Sequence, residues 1–279
     1  MKKLALIGVV LIFFGAVGLL LNSGSGFLNS ENVTIDEVKT IGSEGVETIE
    51  IKVDIGKVNI TESNTDEIVV HYRGNVPTEQ FKFVAERNGN HANIAAHSKR
   101  SFFSVPFINT NWNTKRNLEI ALPKKRLTKV VVHGDVAKID IGTKNVAELI
   151  VNSDVGEISI EKFHGERMEL RTDAGTVSVA EASGELDVQT DTGNIDLVMS
   201  EITKDIRLKS DVGAIHVVMK QVPESLVLDV DSEVGNVSVT RLAGFEQLTG
   251  KPLRAHKGEG GPLLDVKTDV GSITIEQRD

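Results

Sequence analysis

The stretch Leu149-Ile150-Val151-Asn152-Ser153-Asp154-Val155-Gly156-Glu157-Ile158-Ser159-Ile160 decides the fold, because the chain repeats it. Aligned on the glycine, the copies centre on Gly156, Gly175, Gly193, Gly213, Gly235 and Gly271. An early copy centres on Gly56 and a degenerate one on Ala137. The first four of these glycines follow one another at intervals of about nineteen residues, the spacing of solenoids and related arrays.

Each position of the unit has its own chemistry. Seven and five residues before the glycine stand apolar pairs, such as Leu149 with Val151 and Leu186 with Val188. Two and four residues after it the alternation resumes, as in Ile158 with Ile160 and Ile195 with Leu197. A period of two marks strands with one buried face. Three residues before the glycine the core copies carry a small hydroxyl: Ser153, Thr172, Thr190, Ser210, Ser232 and Thr268. Two before it stands an acid: Asp54, Asp135, Asp154, Asp173, Asp191, Asp211, Glu233 and Asp269. The residue just before is mostly apolar (Val155, Val212, Val234, Val270), so from there the step to the next buried residue is three. A straight strand cannot change phase in this way. The glycine is therefore read as a corner or bulge, where a residue without Cβ lets the chain turn.

One unit has too little apolar surface to stand alone, but stacked units bury a continuous aliphatic core. The reading is all-β: a single-stack β-solenoid of about eight short repeats, with aliphatic ladders and a Ser/Thr ladder inside. The acids are expected to bond backbone N–H groups of their own turns. Calcium-binding β-rolls need several acids in a glycine-rich nonapeptide, and each unit here offers one acid beside an apolar residue.

Outside the stack the chain divides as follows. Residues 1–3 form a cytoplasmic tip with Lys2 and Lys3, and 4–21 are apolar without a charge. At 1.5 Å per residue that run reaches roughly 27 Å, close to the hydrocarbon thickness of a bilayer. The flanking lysines put the N-terminus inside and the remainder outside. A cleaved signal peptide is the competing reading, but no small-x-small site closes the run, which favours a retained transmembrane anchor. Residues 22–32 read as a flexible tether and 33–279 as the extracytoplasmic solenoid. Residues 61–129 are an irregular β-rich insert and 243–262 a loop before the last unit. Asn88-Gly89 inside the insert is a hairpin signal.

Composition narrows the function classes. The chain has 279 residues and no cysteine, which excludes disulfides and Cys-ligated zinc. Its net charge of −9 argues against a general nucleic-acid binder. The histidines are scattered, and no nucleophile elbow, P-loop or dinucleotide fingerprint is present. Neither cofactor nor metal is expected, nor is an enzyme, because no unit carries a distinctive polar constellation. The candidate contact surface is the loop 101–115, with Phe102, Phe103, Phe107 and Trp112 bordered by Lys99, Arg100, Lys115 and Arg116. Two readings stand for it. It meets a membrane interface, a glycan or a protein, or its rings fold back to cap the core.

These features together resemble a known family. The Lys2-Lys3 anchor, Ile51-Lys52-Val53-Asp54-Ile55-Gly56, Leu118-Glu119-Ile120-Ala121-Leu122-Pro123 and Leu170-Arg171-Thr172-Asp173-Ala174-Gly175-Thr176-Val177 are similar to the LiaG-like putative-adhesin family of Gram-positive bacteria, a domain of unknown function. The resemblance implies a membrane-tethered extracytoplasmic solenoid, and some relatives accompany envelope-stress systems. It supplies no catalytic residues. The expectation is a non-enzymatic binding or scaffold module with the membrane as partner, together with an envelope protein or wall polymer. Self-assembly of solenoids end to end and a carbohydrate-active enzyme are the alternatives.

Overall fold

The computed structural model describes residues 32–77, 81–98, 116–245, 248–249 and 252–278, all strand, turn or loop. The expected anchor 4–21, the tether up to residue 31 and the aromatic loop 101–115 lie outside the described residues. Among the described residues no helix is long and apolar enough to cross a membrane.

The N-terminal strands are β1 (Asn32–Gly42), β2 (Thr48–Glu62), β3 (Glu67–Pro77), β4 (Phe81–Asn88), β5 (His91–Ser98) and β6 (Asn117–Leu122). The repeats follow as β7 (Leu127–Val155), β8 (Ile158–Ala174), β9 (Val177–Val179), β10 (Ala182–Thr192), β11 (Ile195–Met199), β12 (Ile206–Val212), β13 (Ile215–Met219), β14 (Leu226–Val234) and β15 (Val237–Thr240). Last come β16 (Leu248–Thr249), β17 (Leu253–Lys257), β18 (Leu263–Val270) and β19 (Ile273–Gln277).

Each repeat forms a rung with two arms that meet at the glycine corner. Arms pair in parallel with their equivalents in the rungs on either side, giving a solenoid-like stack. The register puts like residues over like: Leu149, Met168, Leu186 and Ile206 form one buried ladder, and Ile158, Val177, Ile195 and Ile215 another. Burying one such aliphatic side chain stabilises by about 1.5–3 kcal/mol, so the ladders are the main source of cohesion. The outward faces carry cross-rung ion pairs such as Lys138–Glu157 at 2.9 Å and Lys162–Glu181 at 2.7 Å. Exposed pairs of this kind contribute little.

The order of the rungs is not the order of the chain. β12 pairs with β18, and β18 pairs on its other side with β14. β13, β19 and β15 repeat this arrangement in the other arm. The last repeat, centred on Gly271, therefore sits between the repeats of Gly213 and Gly235. The segment 243–262 carries the chain over the outermost rung and back. On the way it lays β17 antiparallel on β14 and β16 antiparallel on β15. Glu276 and Gln277 thus belong to an interior rung, and β16 and β17 close that end of the stack.

At the other end, β2 pairs in parallel with β7 on one side, and with β5 and β6 on the other. β5 and β6 are the two arms of one further rung, with 99–115 placed between them in the chain. β4 lies antiparallel on β5, β3 antiparallel on β6, and β1 antiparallel on β3. The rings of Phe81 and Phe83 meet Tyr72 at 4.7 and 5.6 Å, so among the described residues the aromatic cluster at this end is Tyr72, Phe81 and Phe83. The Asn88-Gly89 hairpin joins β4 to β5, with Gly89 at φ +64°.

Candidate functional site

The feature common to all rungs is the corner edge. Gly156, Gly175, Gly193, Gly213, Gly271 and Gly235 follow one another up the stack with φ between +144° and +159°. A Cβ at any of the last five would land on the carbonyl oxygen of the preceding corner glycine. Backbone conformation and close approach both require glycine there. The corner N–H groups hold the rungs together: Gly213 donates to the carbonyl of Val270 and Gly271 to that of Val234, each at 2.9 Å.

The buried hydroxyls close the inside of the corner. Ser210 Oγ donates to the Gly193 carbonyl at 2.9 Å, Thr268 Oγ1 to Gly213 at 3.0 Å and Ser232 Oγ to Gly271 at 2.8 Å. Ser153 bonds the carbonyl of Val155 instead, at 3.3 Å, and the buried hydroxyl of Thr172 has no partner among the described residues. One rung inverts the arrangement. Ala137 stands at its corner and Gly134 takes the hydroxyl position, where a Cβ would come within 2.7 Å of the Ala137 methyl. The early corner, Gly56 at φ +140°, stacks on the backbone carbonyl of Arg116.

Outside the corner run two parallel rows. In the first, the residues before the glycines point outward: Val212 is 49% exposed, Val270 46% and Val234 63%, and they neighbour one another across the rungs. Ile55 and Val155 belong to the same row. Sequence periodicity had counted these valines on the buried side. The phase slip instead spans from the buried hydroxyl to the second residue after the glycine, and the side chain between them is splayed out by the turn.

The second row is acidic. Asp154, Asp173, Asp191, Asp269 and Glu233 are exposed and make no hydrogen bond to a described residue. The expected bonds to their own turns are not made, because the corner N–H groups are committed to the next rung. Asp211 pairs with Lys209 at 2.8 Å, and Asp211, with Asp269 and Asp191, holds that ammonium above its ordinary range. Asp54 Oδ2 accepts from the backbone N–H of Ser98 at 2.7 Å.

At its N-terminal end the edge opens into a shallow cleft of about 430 Å³ lined by Lys52, Val53, Asp54, His97, Ser98, His133 and Asp135. His133 faces Lys52 across the β2–β7 ladder. The described chain leaves at Ser98 beside this cleft and resumes at Arg116 beside the Gly56 corner. Phe102, Phe103, Phe107 and Trp112 fall between those points, outside the described residues. Among the described residues no three His, Asp or Glu side chains are grouped to hold a metal ion. The cleft and the valine row were not singled out in the sequence. The signal for the row was there, in the valines that recur before the glycine.

A family model described as Toastrack DUF4097 matches residues 46–146 and, again, 132–276. Among solved structures, a "putative cell adhesion protein" from Clostridium sporogenes ATCC 15579 is 14% identical, with 88% of this chain and 100% of that chain covered and a TM-score of 0.46. A "putative adhesin" from Bacteroides fragilis NCTC 9343 is 13% identical, with 90% and 98% covered and a TM-score of 0.42. No curated protein matches the chain.

Proposed function

We propose a function from the premise that this chain belongs to the Toastrack DUF4097 family: it is a non-enzymatic cell-envelope module, held by the apolar run 4–21 and used for binding or scaffolding outside the membrane. The narrower LiaG-like grouping and a link to envelope stress belong to this proposal. The observation that carries it is the corner edge. A stack of glycine-to-carbonyl contacts is a stiff support, and it displays a row of outward side chains, valine in the three adjacent rungs of Val212, Val270 and Val234, beside a row of carboxylates. A repeated row suits an extended partner, either an envelope protein or a wall polymer, better than a small substrate.

The test uses the full chain in its own membrane. Protease added to intact cells should degrade the β domain, and membrane fractionation should retain the protein. Recovery of a shortened, soluble product refutes the anchor. Replacing Val212, Val234 and Val270 together by Ser should abolish retention of envelope material and leave the melting temperature nearly unchanged, since all three side chains are exposed.

One observation favours a second reading. The cleft brings Asp54 and Asp135 together with His97 and His133, and acids in a groove are what a carbohydrate-active enzyme needs. Turnover of wall polymers by the purified protein, lost in Asp135→Asn, would establish that reading over the scaffold.

A further inference from the structure

The two ends of the stack differ. At the end beyond Gly235 the last strands are β16, of two residues, and β17, of five, which carries Arg254, His256 and Lys257. Short, charged edge strands discourage further pairing. At the opposite end the outermost strands are β4, eight residues long, in one arm and β1, eleven residues long, in the other. Among the described residues the main chain of β1 bonds only to β3. Its outer edge offers a row of backbone donors and acceptors, and Val33 and Val38 stand 41% and 58% exposed.

We infer that β1 pairs antiparallel with β1 of a second copy, on a two-fold axis at Val38. The argument is one of register. When a sheet continues across a two-fold axis normal to it, facing residues come from the same side of the strand. Ile35, Glu37, Lys39 and Ile41 alternate on one side of β1, and Thr34, Asp36, Val38 and Thr40 on the other. With Glu37, Asp36 or Lys39 on the axis, a charged residue faces its own copy. With Val38 on the axis, valine meets valine, Glu37 faces Lys39 of the second copy twice, and Ile35 faces Ile41 twice. It is the one register of this kind that opposes unlike charges. Opposed charges and apolar cross-strand pairs are what stabilise a sheet.

Lys39 and Glu37 lie 3.4 Å apart on one face of β1 within one copy, with Lys39 also held over the Phe83 ring, and the second copy would add a further carboxylate to that ammonium. The contact uses the same surface on both partners and closes on itself. The far end is blunted and the Lys39 side chain lies on the outer edge of β4 at the Phe83 carbonyl, so association stops at two chains and does not run on as a filament.

The chain has no cysteine, so one introduced thiol reports the register. In the full chain in membranes, Val38→Cys is expected to give a disulfide-linked dimer on mild oxidation. Opposed Cα atoms in such a pair lie about 4.5–5.5 Å apart, within disulfide reach. Thr34→Cys and Thr40→Cys should stay largely monomeric, because each lies four strand intervals or more from its own copy, roughly 13 Å or beyond. Adding Glu37→Lys to Val38→Cys turns two attractions into repulsions and should cut cross-linking about tenfold. Adding Lys39→Glu as well should restore it. Lys39 also donates to the Phe83 carbonyl at 2.8 Å, so the melting temperature of that variant is measured alongside, and Glu37→Lys alone carries the charge test if it falls. No dimer with Val38→Cys, equal cross-linking at all three positions, a cross-link to a different protein, or indifference to Glu37→Lys overturns the inference.

Discussion

The carbonyl oxygen of Gly271 fills the space that a Cβ on Gly235 would need, though Gly213 is the nearer corner of the two in the sequence. The contact fixes both the need for glycine and the order of the rungs.

Gly193→Ala should be among the most destabilising single changes. Its φ of +155° is strained for any side chain, and the new methyl would meet the Gly175 carbonyl. Strain alone costs about 1–3 kcal/mol, and separating the rungs adds to it. Gly89→Ala is the control, with φ +64° and nothing within 4 Å of the new Cβ, and should cost only about 1–2 kcal/mol. Urea unfolding of the two variants compares them.

The hydroxyl ladder separates used from unused polar groups. Ser232→Ala removes a buried bond to the Gly271 carbonyl and should lose about 1 kcal/mol. Thr172→Val removes a buried hydroxyl with no partner among the described residues and should be neutral or stabilising by up to about 1 kcal/mol. Opposite signs in denaturant midpoints are the expected outcome.

The inverted rung predicts a rescue. Gly134→Ser places a Cβ against the Ala137 methyl and should destabilise. Adding Ala137→Gly restores the arrangement of the other rungs and should recover most of the loss. A double-mutant cycle with an interaction energy of about 1 kcal/mol or more is expected, as for residues in direct contact. Additive losses would contradict the exchange of Cβ positions.

Tyr72 is the one tyrosine of the chain, and burial pushes its phenol up to about 12. An unfolded tyrosine ionises near 10. The neutral form is thus favoured by folding: stability is intact below about pH 10 and falls as pH rises through about 12. Absorbance at alkaline pH should show the late titration. Its hydroxyl is buried without a partner among the described residues, so Tyr72→Phe should flatten the alkaline loss without lowering stability at neutral pH.

Much of the stack can be read from residue spacing. The aliphatic alternation, the buried hydroxyls and the glycine corners each follow from one position in the repeat. What the repeat does not encode is which rung neighbours which. Leu264 fits against Ile206 and Leu228 as well as any other aliphatic residue would, so equivalent units carry no address. The only trace of the interleaved order was the length of 243–262, enough to pass over a rung and return. The acids were misread for a related reason. Asp154, Asp173, Asp191 and Asp269 have the right side chain for a turn bond, but the corner N–H groups they would accept from bond to the next rung, and a single repeat does not display that contact.

The place of β18 and β19 also sets a sequence of assembly. When β14 and β15 are made, the rung they belong beside does not yet exist, and β12 offers them a surface of matching pattern. Native closure has to wait for residues 263–277, which must either arrive before the two sides meet or part them on arrival. A chain that lacks those residues is left with a gap inside the stack. Integrity of the stack therefore depends on strands made after both of the rungs that flank them, and a chain stopped before residue 263 would be recognisable by the two raw strand edges it exposes.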